Sequence, residues 1–127
     1  LPPVAYADLL GRNIDRHGAE VYLVNTGWSG GPCGVGSRMD LHYTREMVRA
    51  AVEGLLKDVP FRPEPVFGLL VPEACPGVPN EVLRPRRTWA DAEAYDRAAR
   101  ELAARFRRNF ERFRGLAPGL EEAGPRV

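Results

Sequence analysis

Five glycines within ten positions, Gly27, Gly30, Gly31, Gly34 and Gly36, follow closely on the apolar run Val21–Val24. No other feature restricts the possible folds so strongly. Val21, Tyr22, Leu23 and Val24 run without polar alternation, which predicts a strand buried on both faces. Beyond Asn25 and Thr26 the glycines, with Pro32 among them, permit left-handed backbone and close approach of another group. Thr44 stands where an N-cap would open a helix, with Glu46 in its first turn. Met47, Val48, Ala51, Val52 and Leu55 mark one face of that helix, and Gly54, Asp58 and Pro60 end it. Strand, glycine loop and helix in this order predict an α/β fold.

The flanking segments fill in the rest. Tyr6, Leu9, Leu10 and Ile14 recur at helical spacing, and Gly18 supplies a left-handed stop after His17, whose charge suits a helix C-terminus. Prolines dominate from Phe61 to Pro85, leaving Val66–Val71 as the stretch with strand character, weakened or bulged at Gly68. Cys75, Pro76, Gly77 and Pro79 read as a turn that packs on something. A third helix follows, with Thr88 and Asp91 as alternative caps. Its apolar stripe is Tyr95, Ala98, Ala99, Leu102, Phe106, Phe110 and Phe113, ending at Gly115. Arg97, Arg100, Arg105, Arg107, Arg108 and Arg112 occupy its other side. The aromatics share the apolar stripe and do not interleave with these arginines, so a solvated charged face is the reading, not a nucleic-acid or membrane surface. Residues 116–127 form a tail, either an extra turn or disorder. The whole predicts one unit over 1–127, a few strands packed with about three helices.

Composition narrows the function classes. A net charge of +1 gives no electrostatic case for nucleic acid or an anionic membrane. Cys33 and Cys75 lack CxxC spacing, so neither a disulfide framework nor a zinc site is indicated and a reducing cytoplasm is expected. No stretch has the length and apolarity of a membrane span. His17 and His42 have no carboxylate spaced for a metal site, and His42 reads as a loop residue. Leu1, with Pro2 and Pro3 directly after it, suggests a sequence that opens inside a larger protein.

As chemistry, the glycine loop fits neither common nucleotide motif. Gly31 and Gly36 have the outer spacing of a phosphate loop, but Ser37 and Arg38 stand where lysine and the magnesium-holding hydroxyl belong. Gly34 and Gly36 begin a G-x-G, but Met39 takes the place of the third glycine of a dinucleotide fingerprint. What survives is narrower. A flexible loop delivers Arg38, a planar donor fork that can stack on a base or bind an anion, and the Thr44 hydroxyl follows a few residues later. A surface arginine and a simple helix cap are the plainer readings of the same residues.

At these residues a family resemblance emerges. VYLVNTGW, the loop ending GVGSRM and the following YTR resemble the C-terminal portion of ATP-dependent phosphoenolpyruvate carboxykinase. PVFGLLVP, CPGVP, LRPRRTWAD, ARFRRNFERF and EEAGP continue the likeness in the same order over essentially the whole chain. Enzymes of this family are several times longer and convert oxaloacetate and ATP to phosphoenolpyruvate, carbon dioxide and ADP, a gluconeogenic step. The resemblance implies that this chain is the C-terminal part of the nucleotide-binding domain. Arg38, Met39 and Thr44 would help to bind ATP, the first two against the base or ribose. It also implies that the phosphate loop, the ligands of the divalent metal (Mg or Mn) and the arginines that grip oxaloacetate lie outside this segment. No catalytic residue and no metal ligand is therefore assigned here. The expected partner is the rest of the carboxykinase chain, and the segment alone is expected to be inactive and prone to self-association. Cys33, Ser37 and Asp40 depart from the family pattern; Asp40 would repel phosphates if it faced them. Trp28 would anchor the loop or wall the pocket. The rival readings are a non-enzymatic α/β interaction module with a structural glycine turn, and a basic helix binding nucleic acid through Arg100, Arg107 and Arg108.

Overall fold

The computed structural model describes residues 2–115 and 119–126. Helices and two short antiparallel hairpins alternate along the chain, in keeping with the α/β expectation: α1 (Pro3–His17), β1 (Trp28–Ser29), β2 (Ser37–Arg38), α2 (Leu41–Val52), β3 (Phe61–Pro63), β4 (Leu70–Pro72), α3 (Pro85–Thr88) and α4 (Ala92–Phe110). Single 3-10 turns follow at Glu111–Phe113 and Leu120–Ala123. Among the described residues no helix is long and apolar enough to cross a membrane.

Helix α1 begins with Pro3, whose missing N–H costs nothing in a first turn, and stops at Gly18 with φ 58°. The stop is the one the sequence predicts. Its apolar stripe, however, stays in solvent: Tyr6, Leu9 and Leu10 are exposed and no residue of the helix is buried. The strand expected at Val21–Val24 does not form. These residues are irregular, with Leu23 81% exposed, because a strand exists only by pairing and none of the described strands lies beside it. Tyr22 alone of this run packs against the core.

Helix α2 starts earlier than the sequence suggested. Asp40, not Thr44, is the N-cap, its Oδ1 accepting the His42 N–H at 2.7 Å. Thr44 already lies inside the helix, its N–H bonded to the Asp40 carbonyl, and His42 belongs to the first turn and not to a loop. A carboxylate reaches back to the amide two residues on as well as a hydroxyl does, and its charge also suits the helix dipole.

The proline-rich stretch folds into the β3–β4 hairpin, register Phe61 with Pro72, Arg62 with Val71 and Pro63 with Leu70. The strand expected over Val66–Val71 is therefore halved. Val66 and Phe67 turn the chain, their N–H groups taken by the Glu64 carboxylate at 3.0 and 2.5 Å, and Gly68 closes the turn with φ 69°. Side-chain acceptance by Glu64 replaces the ladder bonds those residues would otherwise need. The turn at Cys75–Val78 packs inward as expected: Cys75 and Val78 join Ala50, Leu56 and Leu83 in the core, flanked by Tyr43, Met47, Phe61 and Val71.

Helix α4 is capped by Asp91, which accepts from Glu93 N and Ala94 N at 2.8 and 3.1 Å. Thr88, the other candidate cap, instead ends α3. The buried line of α4 is Ala99 and Ala103, while Leu102 and Phe106, assigned to the core stripe by periodicity, are about half exposed. Small side chains let the helix backbone approach its neighbours and leave the larger groups at the margin. The arginine side behaves as a solvated face: Arg105 pairs with Glu101, Arg97 with Asp91 and Glu93. Arg107 donates to the Pro125 carbonyl at 2.8 and 3.0 Å, and Arg126 N bonds Val66 O at 2.7 Å, so the described part of the tail returns to the body. Residues 116–118 and 127, also in the predicted tail, lie outside the described residues.

Candidate functional site

The glycine-rich stretch is a hairpin. Trp28 pairs with Arg38 and Ser29 with Ser37, and Met39 N closes the base on Gly27 O at 2.8 Å. Asn25 prepares the first arm, its side chain accepting from Gly27 N at 2.9 Å and donating to Trp28 O at 3.3 Å. Each glycine at the neck has a specific reason to be there. Gly30 and Gly31 take φ of 77° and 155°, and a Cβ on Gly36 would collide with the backbone of Ser29 and Gly31 across the loop. The two arms thus meet closer than side chains allow.

The loop amides answer the phosphate question. Val35 N and Gly36 N both bond Pro32 O at 3.0 Å, and Gly30 N is taken by the Thr88 hydroxyl at 3.1 Å. A phosphate cradle needs such amides pointing at an anion, and these are spent internally.

The three sequence-predicted site residues fall on the second arm and the helix it feeds. Arg38 is exposed on β2 and has no carboxylate partner among the described residues. Directly opposed residues of an antiparallel pair project to one side of the sheet, so Trp28 and Arg38 share a face. Trp28 is 39% exposed, which leaves part of the side chain open to solvent. Met39 and Thr44 are half-buried, flanking the Asp40 cap. Asp40 accepts the amide of His42 through Oδ1 and keeps its charge at the exposed start of α2.

One contact could not be seen in the sequence. Thr88 donates its single proton to Pro85 O at 2.7 Å and accepts from Gly30 N at 3.1 Å and Ser29 Oγ at 3.3 Å. A hydroxyl has one donor and two acceptor positions, and all three are used. Helix α3 is in turn forked to α4 by Arg86, whose Nε and Nη2 reach the Asp96 carboxylate at 2.8 and 2.9 Å. That pairing holds the Asp96 carboxyl below the usual aspartate range and the Arg86 guanidinium above its own.

A separate cleft of about 350 Å³ lies between the β3–β4 hairpin, α3 and α4, lined by Arg62, Glu64, Leu83, Arg84, Arg87 and Tyr95 among others. Arg38, Met39 and Thr44 take no part in it. Burial, then the charge of Glu64, raises the Tyr95 phenol, which stays neutral at physiological pH. Among the described residues no group of three His, Cys, Asp or Glu could hold a metal ion.

The family model described as phosphoenolpyruvate carboxykinase matches residues 1–81. A phosphoenolpyruvate carboxykinase (ATP) of Moorella thermoacetica is 61% identical over 98% of this chain, and one of Thermus thermophilus is 54% identical over 98%. One of Caldanaerobacter subterraneus is 50% identical over 99%. The chain spans 24% of the length of each of these relatives.

Proposed function

This chain belongs to the phosphoenolpyruvate carboxykinase family, and from that premise we propose that it is the nucleotide-side wall of a longer, ATP-dependent carboxykinase that converts oxaloacetate to phosphoenolpyruvate in the cytoplasm, in gluconeogenesis. The observation that carries this reading is the shared face of Trp28 and Arg38 at the neck of a rigidly closed hairpin. An indole and a guanidinium on one face, the latter without a carboxylate partner among the described residues, offer a planar, cationic surface to a purine and its ribose. Met39 adds a polarisable apolar contact, and the Thr44 hydroxyl, one turn into α2, supplies a donor and acceptor.

The segment's part is binding and orientation. Phosphoryl transfer depends on placing the nucleotide and on metal ions that neutralise the moving group, and the residues for the second task belong to the rest of the protein in this reading. In this reading the segment alone is inactive, with weak adenine-nucleotide affinity at most, and forms the C-terminal part of the nucleotide-binding domain, a placement supported by the family likeness of its motifs. ATP and ADP are its ligands; oxaloacetate and the Mg or Mn ion sit beyond it.

The test is Arg38→Ala in the full-length carboxykinase. Loss of one charge-assisted contact raises the KM for ATP about tenfold or more, with the KM for oxaloacetate little changed. An unchanged ATP requirement would make the hairpin a mere turn and favour the interaction-module reading.

A further inference from the structure

We propose that Thr88 is a positioning residue for nucleotide binding, a latch that fixes the height and tilt of the hairpin carrying Arg38. The proposal rests on the nucleotide-wall reading and adds a residue 50 positions away in sequence that touches no ligand.

The geometry is specific. The hairpin has two-residue arms, and its far end is held to the body by the Thr88 hydroxyl, which accepts from Gly30 N at 3.1 Å and Ser29 Oγ at 3.3 Å. A Cβ on Gly30 would come within 3.1 Å of the Thr88 carbonyl, so hairpin and α3 also meet backbone to backbone. Ser29 is paired with Ser37, the neighbour of Arg38. A displacement at Thr88 is therefore carried through one ladder step to the guanidinium. Thr88 itself cannot drift, because its proton is held by Pro85 O at 2.7 Å and α3 is clamped to α4 by the Arg86–Asp96 fork. Helix α4, the longest rigid body of the segment, thus sets where Arg38 stands. Without the hydroxyl, Gly30 N and Ser29 Oγ lose their shared acceptor in a half-buried place, and the closed hairpin competes with open forms that can find water.

The experiment compares Thr88→Val, isosteric but without acceptor, with Thr88→Ser, which keeps all three bonds, in the full-length carboxykinase. Arg38→Ala serves as reference. Thr88→Val raises the KM for ATP roughly threefold to tenfold, as loss of neutral hydrogen bonds implies, and leaves kcat and the KM for oxaloacetate within about twofold. Deuterium uptake in the peptide spanning residues 27–39 rises in parallel. Thr88→Ser restores both. If Thr88→Val changes neither quantity while Arg38→Ala raises the KM for ATP, the latch is refuted and the nucleotide wall stands. If neither variant moves the KM for ATP, the nucleotide wall falls and takes the latch with it. Equal damage to ATP and oxaloacetate kinetics, or failure of serine to rescue, reduces Thr88 to a general structural residue and also overturns the proposal.

Discussion

Replacing Gly36 with alanine tests the hairpin where it is tightest. An added Cβ would lie 2.6 Å from Gly31 O and 2.7 Å from Gly31 N, with Ser29 O closer still, where 3.4–4 Å is ordinary contact. All three obstacles are backbone atoms of the opposite arm, which no rotamer change can clear. Overpacking costs about 1–3 kcal/mol, and here the relief available is parting of the arms, against the Ser29–Ser37 pair and the Thr88 bonds. If about 2 kcal/mol of this falls on hairpin closure, the binding-competent fraction drops by up to about thirtyfold, and apparent affinity with it. The expected rise in KM for ATP in the full-length enzyme approaches about thirtyfold where the closed form is only marginally favoured and shrinks as the closed form is more strongly favoured, in which case the rise in deuterium uptake carries the test. Gly34→Ala is the control. It lies at the loop tip with nothing within 4 Å of an added Cβ, so its φ of 91° exacts only a local backbone penalty. Steady-state kinetics with varied ATP, read beside deuterium uptake over residues 27–39, decides the matter. A Gly36→Ala enzyme with wild-type ATP kinetics and wild-type uptake would refute the claim that the neck is sterically closed.

Two further outcomes follow from groups already described. Bonds from Ala94 N and Glu93 N, with Arg97 nearby, hold the Asp91 carboxyl below the usual range, as Arg86 does for Asp96. The unfolded carboxyls bind protons more readily than the folded ones, so both groups stabilise α4 fully above the ordinary aspartate range, about pH 4, and lose that effect as pH falls through their lower native values. Thermal unfolding followed from pH 6 downwards should decline steeply only in that acid window, and Asp91→Asn with Asp96→Asn should flatten the decline. Among the thiols, Cys33 is exposed whereas Cys75 is buried, with burial first and the charge of Glu46 second raising its thiol and keeping it protonated. A maleimide at neutral pH should therefore label Cys33 rapidly and Cys75 only in denaturant; prompt labelling of Cys75 in the native protein would contradict its place in the core.

What was legible in the sequence was local. Gly18, Asp91 and the turn at Cys75–Val78 carry their instructions within a few residues, through left-handed backbone, side-chain capping or turn chemistry. The sequence offers Thr88 and Asp91 as alternative caps and the structure takes Asp91, whereas at α2 the sequence points to Thr44 and the cap is Asp40, which it marks only as a departure from the family pattern. Periodicity found the apolar side of α4 but not which part of it is covered, because Ala99 and Ala103 win burial by being small enough for close approach. The β3–β4 hairpin was half visible, since its first strand, Phe61–Pro63, is disguised by proline and arginine and is recruited by pairing with Leu70–Pro72. For the candidate site, the family likeness points to Arg38, Met39 and Thr44. The pairing of Trp28 with Arg38 was not legible, nor was the bond from Thr88 to Gly30, because both depend on how distant stretches meet.

The irregular run Val21–Val24 has a consequence for the life of the polypeptide before it is folded. Its amides and carbonyls have no ladder partner among the described strands, and Val21 and Leu23 are open to solvent. A short, β-branched, uncharged stretch of this kind templates pairing with any neighbouring chain. Where the segment is produced without the rest of the carboxykinase, the run stays unpaired and recruits strands of other molecules, a race decided by concentration and by chaperone capture. Yield of native protein should therefore fall with expression rate well before the folded state itself is compromised.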